Sequence, residues 1–332
     1  MLPSSSPLLH TLQMKIKIPY EDQAFPDSAY SELIDTINSL YLPVLTTIDL
    51  SVNLVPDDLW DYFCGKDLTF LPRTNFTALL TTHPHLVHLT LSALGTEIKE
   101  DLGFLPRLIS FQGPFRDAAV ICARQRQLQK LIITPSNDCA DFFPTFHPLP
   151  LPNHPSLTKL CLLAVDSLGS PMKMTELSPN SFACLISSFP NLAHLDACIN
   201  KPVTKYRNAL ISLTQLQNLR LQQYTEHFLA PPNWPACLVF PATNYIKEID
   251  TLLPSLTQLT DVEICILADI HPASAAYVSD TGSESDSYCD EWYYDRMDSA
   301  PDIQLEYFFS VIRPVSGAQV VLDLTRVMDS YS

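Results

Sequence analysis

A chain of 332 residues, 46% of them hydrophobic, is long enough to bury an extended core. Its formal net charge of −16 argues against sequence-independent nucleic-acid binding, which rests on Lys and Arg neutralising phosphates, and against docking to an anionic membrane surface. Only 7 glycines occur, which disfavours phosphate-binding loops and hairpin-rich sheets, whereas 28 prolines suit a chain that reverses direction many times.

In chain order, one pattern keeps returning. It is clearest at Pro84-His85-Leu86-Val87-His88-Leu89-Thr90-Leu91, a proline, then L-x-x-L-x-L. The last part alternates apolar and polar, the period of a strand buried on one face. A weak first copy is Pro7, Leu9, Leu12, Met14. Helical spacing follows over 27–40 (Leu33, Ile34, Ile37, Leu40), then the second copy, Pro43, Leu45, Ile48, Leu50. Phe76, Leu79 and Leu80 predict a helix before the Pro84 copy. Pro106, Leu108, Phe111 make the fourth, with Gly113 in its last apolar slot. A short helix over 118–124 precedes Leu128, Leu131, Ile133. Pro155, Leu157, Leu160, Leu162 make the sixth copy.

Ser178-Pro179 is a helix start, a capping Ser followed by Pro at the first helical position, and Phe182, Leu185, Ile186 and Phe189 continue as one stripe. The seventh copy is Pro190, Leu192, Leu195, Ala197. A helix over 205–211 leads to Leu216, Leu219, Leu221. Tyr245, Ile246, Ile249, Leu252 and Leu253 predict a longer helix before Leu259, Val262, Ile264, the ninth copy. After Pro301, the spacing of Leu305, Phe308, Phe309 and Ile312 predicts a last helix, and 320–324 a closing strand. Long loops are expected at about 53–73, 134–154, 164–178, 222–242 and 268–300. Within the last, 279–299 holds seven acids against one base and is expected to be a disordered acidic insertion, with Trp292, Tyr293 and Tyr294 as a docking or fold-back element. The run Ser279–Asp286 has the look of an acidophilic kinase substrate.

The repeated L-x-x-L-x-L resembles leucine-rich-repeat proteins of the ribonuclease-inhibitor-like kind, over nearly the whole chain from about residue 7 to about residue 325. The resemblance implies an α/β solenoid in a single domain spanning 1–326, with about nine to ten irregular repeats, a parallel sheet on a concave face and helices on a convex one. The irregular units and Pro-x-Leu starts are similar to the repeat region of fungal F-box proteins. That likeness implies substrate selection for a cullin-type ubiquitin ligase, with the ligase adaptor as a partner if an F-box lies upstream. No F-box segment precedes the first repeat here, so no residue of that motif is carried over. A stand-alone repeat scaffold is the alternative.

In each strand the leucines are expected to face the core and the residues between them to line the open face. These are Thr47, Asp49, His88, Thr90, Ser110, Gln112, Lys130, Lys159, His194, Asp196, Asn218, Arg220, Asp261 and Glu263. Their mixed chemistry suits a protein or peptide ligand better than a polyanion. His83, His85 and His88 invite a metal reading, but two of them share a strand with repeat leucines. Glu97, Glu100 and Asp101 read as a solvated face, and Asp57, Asp58 and Asp61 lack the glycine of a calcium loop. No cofactor or metal is expected. The sequence has no G-x-S-x-G, G-x-G-x-x-G, G-x-x-x-x-G-K or H-E-x-x-H, so the expectation is a non-catalytic binding module, with a hydrolase assembled from loops as the rival. The cysteines are odd in number, 9, without C-x-x-C spacing, and fit reduced thiols in the cytoplasm or nucleus. No signal peptide or spanning segment is evident, which leaves the Asn75-Phe76-Thr77 glycosylation triplet as a chance match.

Overall fold

A computed structural model describes residues 9–20, 27–56, 74–93, 96–98, 105–134, 152–162, 178–199, 201–230, 242–272, 302–312 and 318–329. Its strands are β1 (Thr11–Tyr20), β2 (Thr47–Pro56), β3 (Thr74–Asn75), β4 (His88–Ala93), β5 (Thr96–Glu97), β6 (Ser110–Pro114), β7 (Lys130–Thr134), β8 (Lys159–Leu162), β9 (His194–Ile199), β10 (Asn218–Ala230), β11 (Asp261–Pro272), β12 (Asp302–Ile312) and β13 (Gln319–Asp329). The helices are α1 (Asp27–Asn38), α2 (Thr77–Thr82), α3 (Phe115–Arg124), α4 (Pro179–Ser187), α5 (Val203–Leu210) and α6 (Ala242–Asp250). Eleven strands form one open sheet in the order β1-β2-β4-β6-β7-β8-β9-β10-β11-β12-β13, while β3 and β5 pair separately. From β1 through β11 every neighbouring pair in the large sheet is parallel. The chain is therefore α/β, with a long and mostly parallel sheet.

From the second to the ninth, each L-x-x-L-x-L copy maps onto one turn and one strand. The first leucine closes the turn: its N–H donates to the carbonyl three residues back at Leu45–Leu42, Leu86–His83, Leu108–Leu105, Leu157–His154, Leu192–Phe189, Leu216–Leu213 and Leu259–Leu256. Proline fits one residue after that carbonyl because its fixed φ is preset for the second position of a β-turn and its missing N–H is not needed there. Pro43, Pro84, Pro106, Pro155 and Pro190 all occupy this place. The chain then enters the sheet in the same way each time. One carbonyl of the preceding unit, such as Thr46 O, accepts from two successive N–H groups of the next, such as those of Val87 and His88. The same forked contact recurs from His10 O through Gln217 O.

The repeat leucines and the helical stripes bury each other in one continuous core. Ile48, Leu89, Phe111, Leu131, Leu160, Leu195, Leu219 and Val262 contribute from successive strands, and Ile37, Leu79, Ile121, Phe182, Tyr206 and Ile249 from successive helices. Ser178 caps α4 as its sequence predicts, its hydroxyl oxygen accepting from Ser181 N–H at 3.1 Å. Neighbouring helices are tied by polar side chains: Asn38 Oδ1 accepts from Leu79 N–H (3.2 Å), and Glu248 Oε2 from Val203 N–H (2.9 Å). Gly113 stands in an apolar slot because the Phe111 ring already fills it. A Cβ at 113 would lie 2.6 Å from Phe111 Cζ and 3.2 Å from Leu91 O.

The turn position three residues before the first leucine is buried in every unit from the second to the ninth: Leu42, His83, Leu105, Gln125, His154, Phe189, Leu213 and Leu256. Where it is polar, it bonds the preceding unit. His83 Nε2 accepts from Leu42 N–H (3.0 Å), which leaves the ring proton on Nδ1, donated to Leu79 O (2.7 Å). Gln125 Oε1 accepts from Leu105 N–H (3.1 Å), and His154 Nε2 bonds Cys122 O (2.6 Å). Burial is the main cause of the lowered His154 pKa, with the Arg126 charge adding to it and the bond to Cys122 O opposing. A His83→Leu variant should lose about 1–3 kcal/mol in urea unfolding, the cost of a buried Leu42 N–H without an acceptor. His83→Gln, which places the residue of position 125 in this role, should lose less. Equal losses for the two would refute the role of the His83–Leu42 hydrogen bond.

Two expectations need correction. The residues Leu305, Phe308, Phe309 and Ile312 do not form a helix. They lie in β12, antiparallel to β11, and β13 returns antiparallel to β12. The segment has an equally good period of 2, with Tyr307 and Phe309 buried, and β11 needs a partner edge. The closing strand expected at 320–324 is present within β13. The loops expected at about 53–73, 222–242 and 268–300 all begin later, because β2 stays paired as far as Pro56 and β10 and β11 as far as Ala230 and Pro272. The acidic insertion at 279–299 with Trp292–Tyr294, and residues Asp57, Asp58, Asp61, Glu100 and Asp101, lie outside the described residues.

Candidate binding face

The strand residues that point away from the core fall into register as two rows across the sheet. The first runs Thr47, His88, Ser110, Lys130, Lys159, His194, Asn218, Asp261. The second runs Asp49, Thr90, Gln112, Ile132, Cys161, Asp196, Arg220, Glu263. All fourteen residues expected on this face are in these rows, and all are half-buried or exposed. Ile132 and Cys161 belong to the face as well. A reading that looked for polar residues between leucines passed over them, although strict alternation puts them there.

At the first end of the rows, Gln13 Nε2 donates to Asp49 Oδ2 at 2.9 Å. The densest polar group lies on β8 to β12 around Arg220. Its Nε donates to Glu263 Oε1 (2.8 Å), its Nη1 reaches Asp196 Oδ2 (3.4 Å), and its Nη2 is 4.0 Å from Glu306 Oε1. Gln222 Nε2 donates to the other oxygen of Asp196 (2.9 Å), and the Cys161 thiol to Oδ2 (3.3 Å). Three carboxylates thus share one guanidinium. Burial by itself would lower the Arg220 pKa, but Asp196 and Glu263 outweigh it and the net shift is upward. The Glu263 pKa also moves up, first through burial and then through Glu306 and Asp196, against the pull of Arg220. A simple ion pair would push the two in opposite directions. The geometry resolves the conflict, because one positive charge divided among three carboxylates cannot fully offset the burial of Glu263.

Cysteine chemistry finds no footing here. Burial pushes the thiols of Cys161, Cys198 and Cys265 up to about 12, with Asp196 adding to the effect at each, and it does the same to Cys122 in the core. The thiolate is the nucleophile, so these sulfurs are small apolar groups at neutral pH. The histidine triplet is not a metal cage either. His83 is buried with both ring nitrogens engaged, while His85 and His88 are exposed. His194 is exposed and takes an N–H from Asn218 Nδ2 on Nδ1 (2.9 Å), which puts the proton of the neutral ring on Nε2. A crevice of about 570 Å³ lies where the end of α6 meets β13, lined by Asp250, Leu253, Pro254, Ala318, Gln319 and Val320, and shares no residue with the Arg220 group. Among the described residues, no helix is long and apolar enough to cross a membrane. Compared with models of known protein families the chain gives no match, and compared with curated proteins it gives none.

Proposed function

We infer that the chain is a leucine-rich-repeat solenoid whose open sheet face binds a protein or peptide without transforming it. One observation carries this reading: two rows of chemically mixed side chains run in register across eight parallel strands, on the face that the helices leave uncovered. A row of this kind offers many small contacts along an extended ligand and no single centre of reactivity. Substrate selection for a ubiquitin ligase is the narrower form of the same reading and rests on the resemblance to fungal F-box proteins. If the ligase adaptor fails to co-purify with the full gene product, a scaffold role remains.

Site-directed photo-crosslinking tests the binding reading. Crosslinkers at Thr90 and Asn218, on the open face, should capture the same partner. One at Lys205, exposed on α5, should not. Capture from Lys205 alone, or from all three equally, would refute it.

A further inference from the structure

Lys130, Lys159 and His194 occupy three successive strands of the first row, each in register with the next. Strand spacing places neighbours about 4.8 Å apart, so the three span roughly 10 Å. Like charges directly opposite on neighbouring strands are unfavourable. The chain carries 36 acids against 20 bases, yet no carboxylate among the described residues pairs with either lysine. The nearest acid along the face, Asp196, is committed to Arg220, Gln222 and Cys161. His194 extends the row with a ring N–H on Nε2. Beside the lysines in the second row lie Ile132, half-exposed, and Cys161, a protonated thiol.

On this basis we propose that Lys130, Lys159 and His194 form a docking row for an acidic segment of a protein partner, taken up through Asp or Glu carboxylates. The proposal rests on the reading of the open face as a binding surface and names the chemistry of its ligand. Side chains on one side of an extended segment recur every ~6.8 Å, so acids two residues apart face the row together and fit within its span. The surroundings limit the ligand further. Two strands beyond His194, Asp261 and Glu263 present carboxylates on β11. A long polyanion lying across the sheet would run into them, whereas a short acidic stretch stops before them. The carboxylates bias the partner towards a neutral or basic residue on that side.

Fluorescence anisotropy with labelled nine-residue peptides tests this on the intact chain. The probes are one peptide with alternating Glu and Leu, its Gln counterpart, and a twenty-nucleotide single-stranded DNA. The Glu peptide should bind at least tenfold tighter than the Gln peptide and weaken as salt rises. The K130E/K159E variant should lose at least tenfold in affinity with an unchanged circular dichroism spectrum. Both lysines are on the open face, and Lys130→Gln with Lys159→Gln is the milder pair should charge reversal disturb folding. No difference between the Glu and Gln peptides, or equal binding by the wild type and both variants, overturns the proposal. Tighter binding of the DNA, lost in the same variants, overturns it in favour of a polyanion site. Crosslinking from Thr90 and Asn218 that persists in K130E/K159E at wild-type yield, together with failure of the Glu peptide, defeats this proposal and leaves the general binding reading intact.

Discussion

Replacing Arg220 with Met should cost about 2 kcal/mol at neutral pH, read as a shift in the urea midpoint with an unchanged slope. Breaking a buried charge pair costs more than this, but the Arg220 side chain is 38% exposed and water screens part of the loss. The substitution leaves Asp196 and Glu263 without the guanidinium that they share. The pH dependence gives the sharper signature. The Glu263 pKa is raised on folding, chiefly by burial. A carboxyl raised in this way contributes stability that is fully present below its unfolded pKa and is lost as pH rises through the folded value. Removing Arg220 takes away the main influence holding it down, so the raised pKa climbs further. The deficit of Arg220→Met should therefore be largest near neutrality and shrink as pH falls towards the carboxylate range. Adding Glu263→Gln to Arg220→Met should flatten that dependence. A deficit independent of pH would show that packing of the Arg220 stem, and not charge, supports this end of the sheet.

The largest loss is expected from Phe182→Ala, about 3–5 kcal/mol. Phe182 is fully buried on α4 and meets Tyr206 of α5 edge to face, with ring centres 5.2 Å apart and planes at 81°. The substitution removes a large ring from between two helices whose positions are set by consecutive strands, so the site has little room to collapse. The edge-to-face contact contributes about 0.5–1.5 kcal/mol beyond area. A cycle with Tyr206→Leu should recover that coupling. A loss below 1 kcal/mol would mean that α4 and α5 are not held as described.

The strands were legible in the sequence because their burial is one-sided, and an apolar period of 2 sets both their place and the direction of each side chain. The same alternation brought out the fourteen face residues and, read more strictly, would have added Ile132 and Cys161. The strand β12 was obscured by degeneracy. In Leu305–Ile312 a period of 3.6 takes Leu305, Phe308, Phe309 and Ile312 while a period of 2 takes Leu305, Tyr307, Phe309 and Val311, and only the need of β11 for a partner decides between them. The turn position of His83, Gln125 and His154 was hidden for a different reason. Three of its eight occupants are polar, so hydrophobicity does not mark it, yet aligning the copies on their first leucine brings out Leu42, Leu105, Phe189, Leu213 and Leu256 in one column. The Arg220 group depends on side chains from five adjacent strands, β8 to β12, one of which was expected to be a helix.

The reversal at β12 also gives the array a direction of growth. Through β11, each strand presents the next with an edge of the same sense, so one helix–strand unit can be duplicated or lost and its neighbours still match. Beyond β11 that edge is taken by β12 running the other way, and β13 doubles back on it. A unit copied after β11 would meet a partner of the wrong polarity. Changes in repeat number among descendants of this chain should therefore accumulate between β1 and β11, while β12 and β13 are inherited together as a pair.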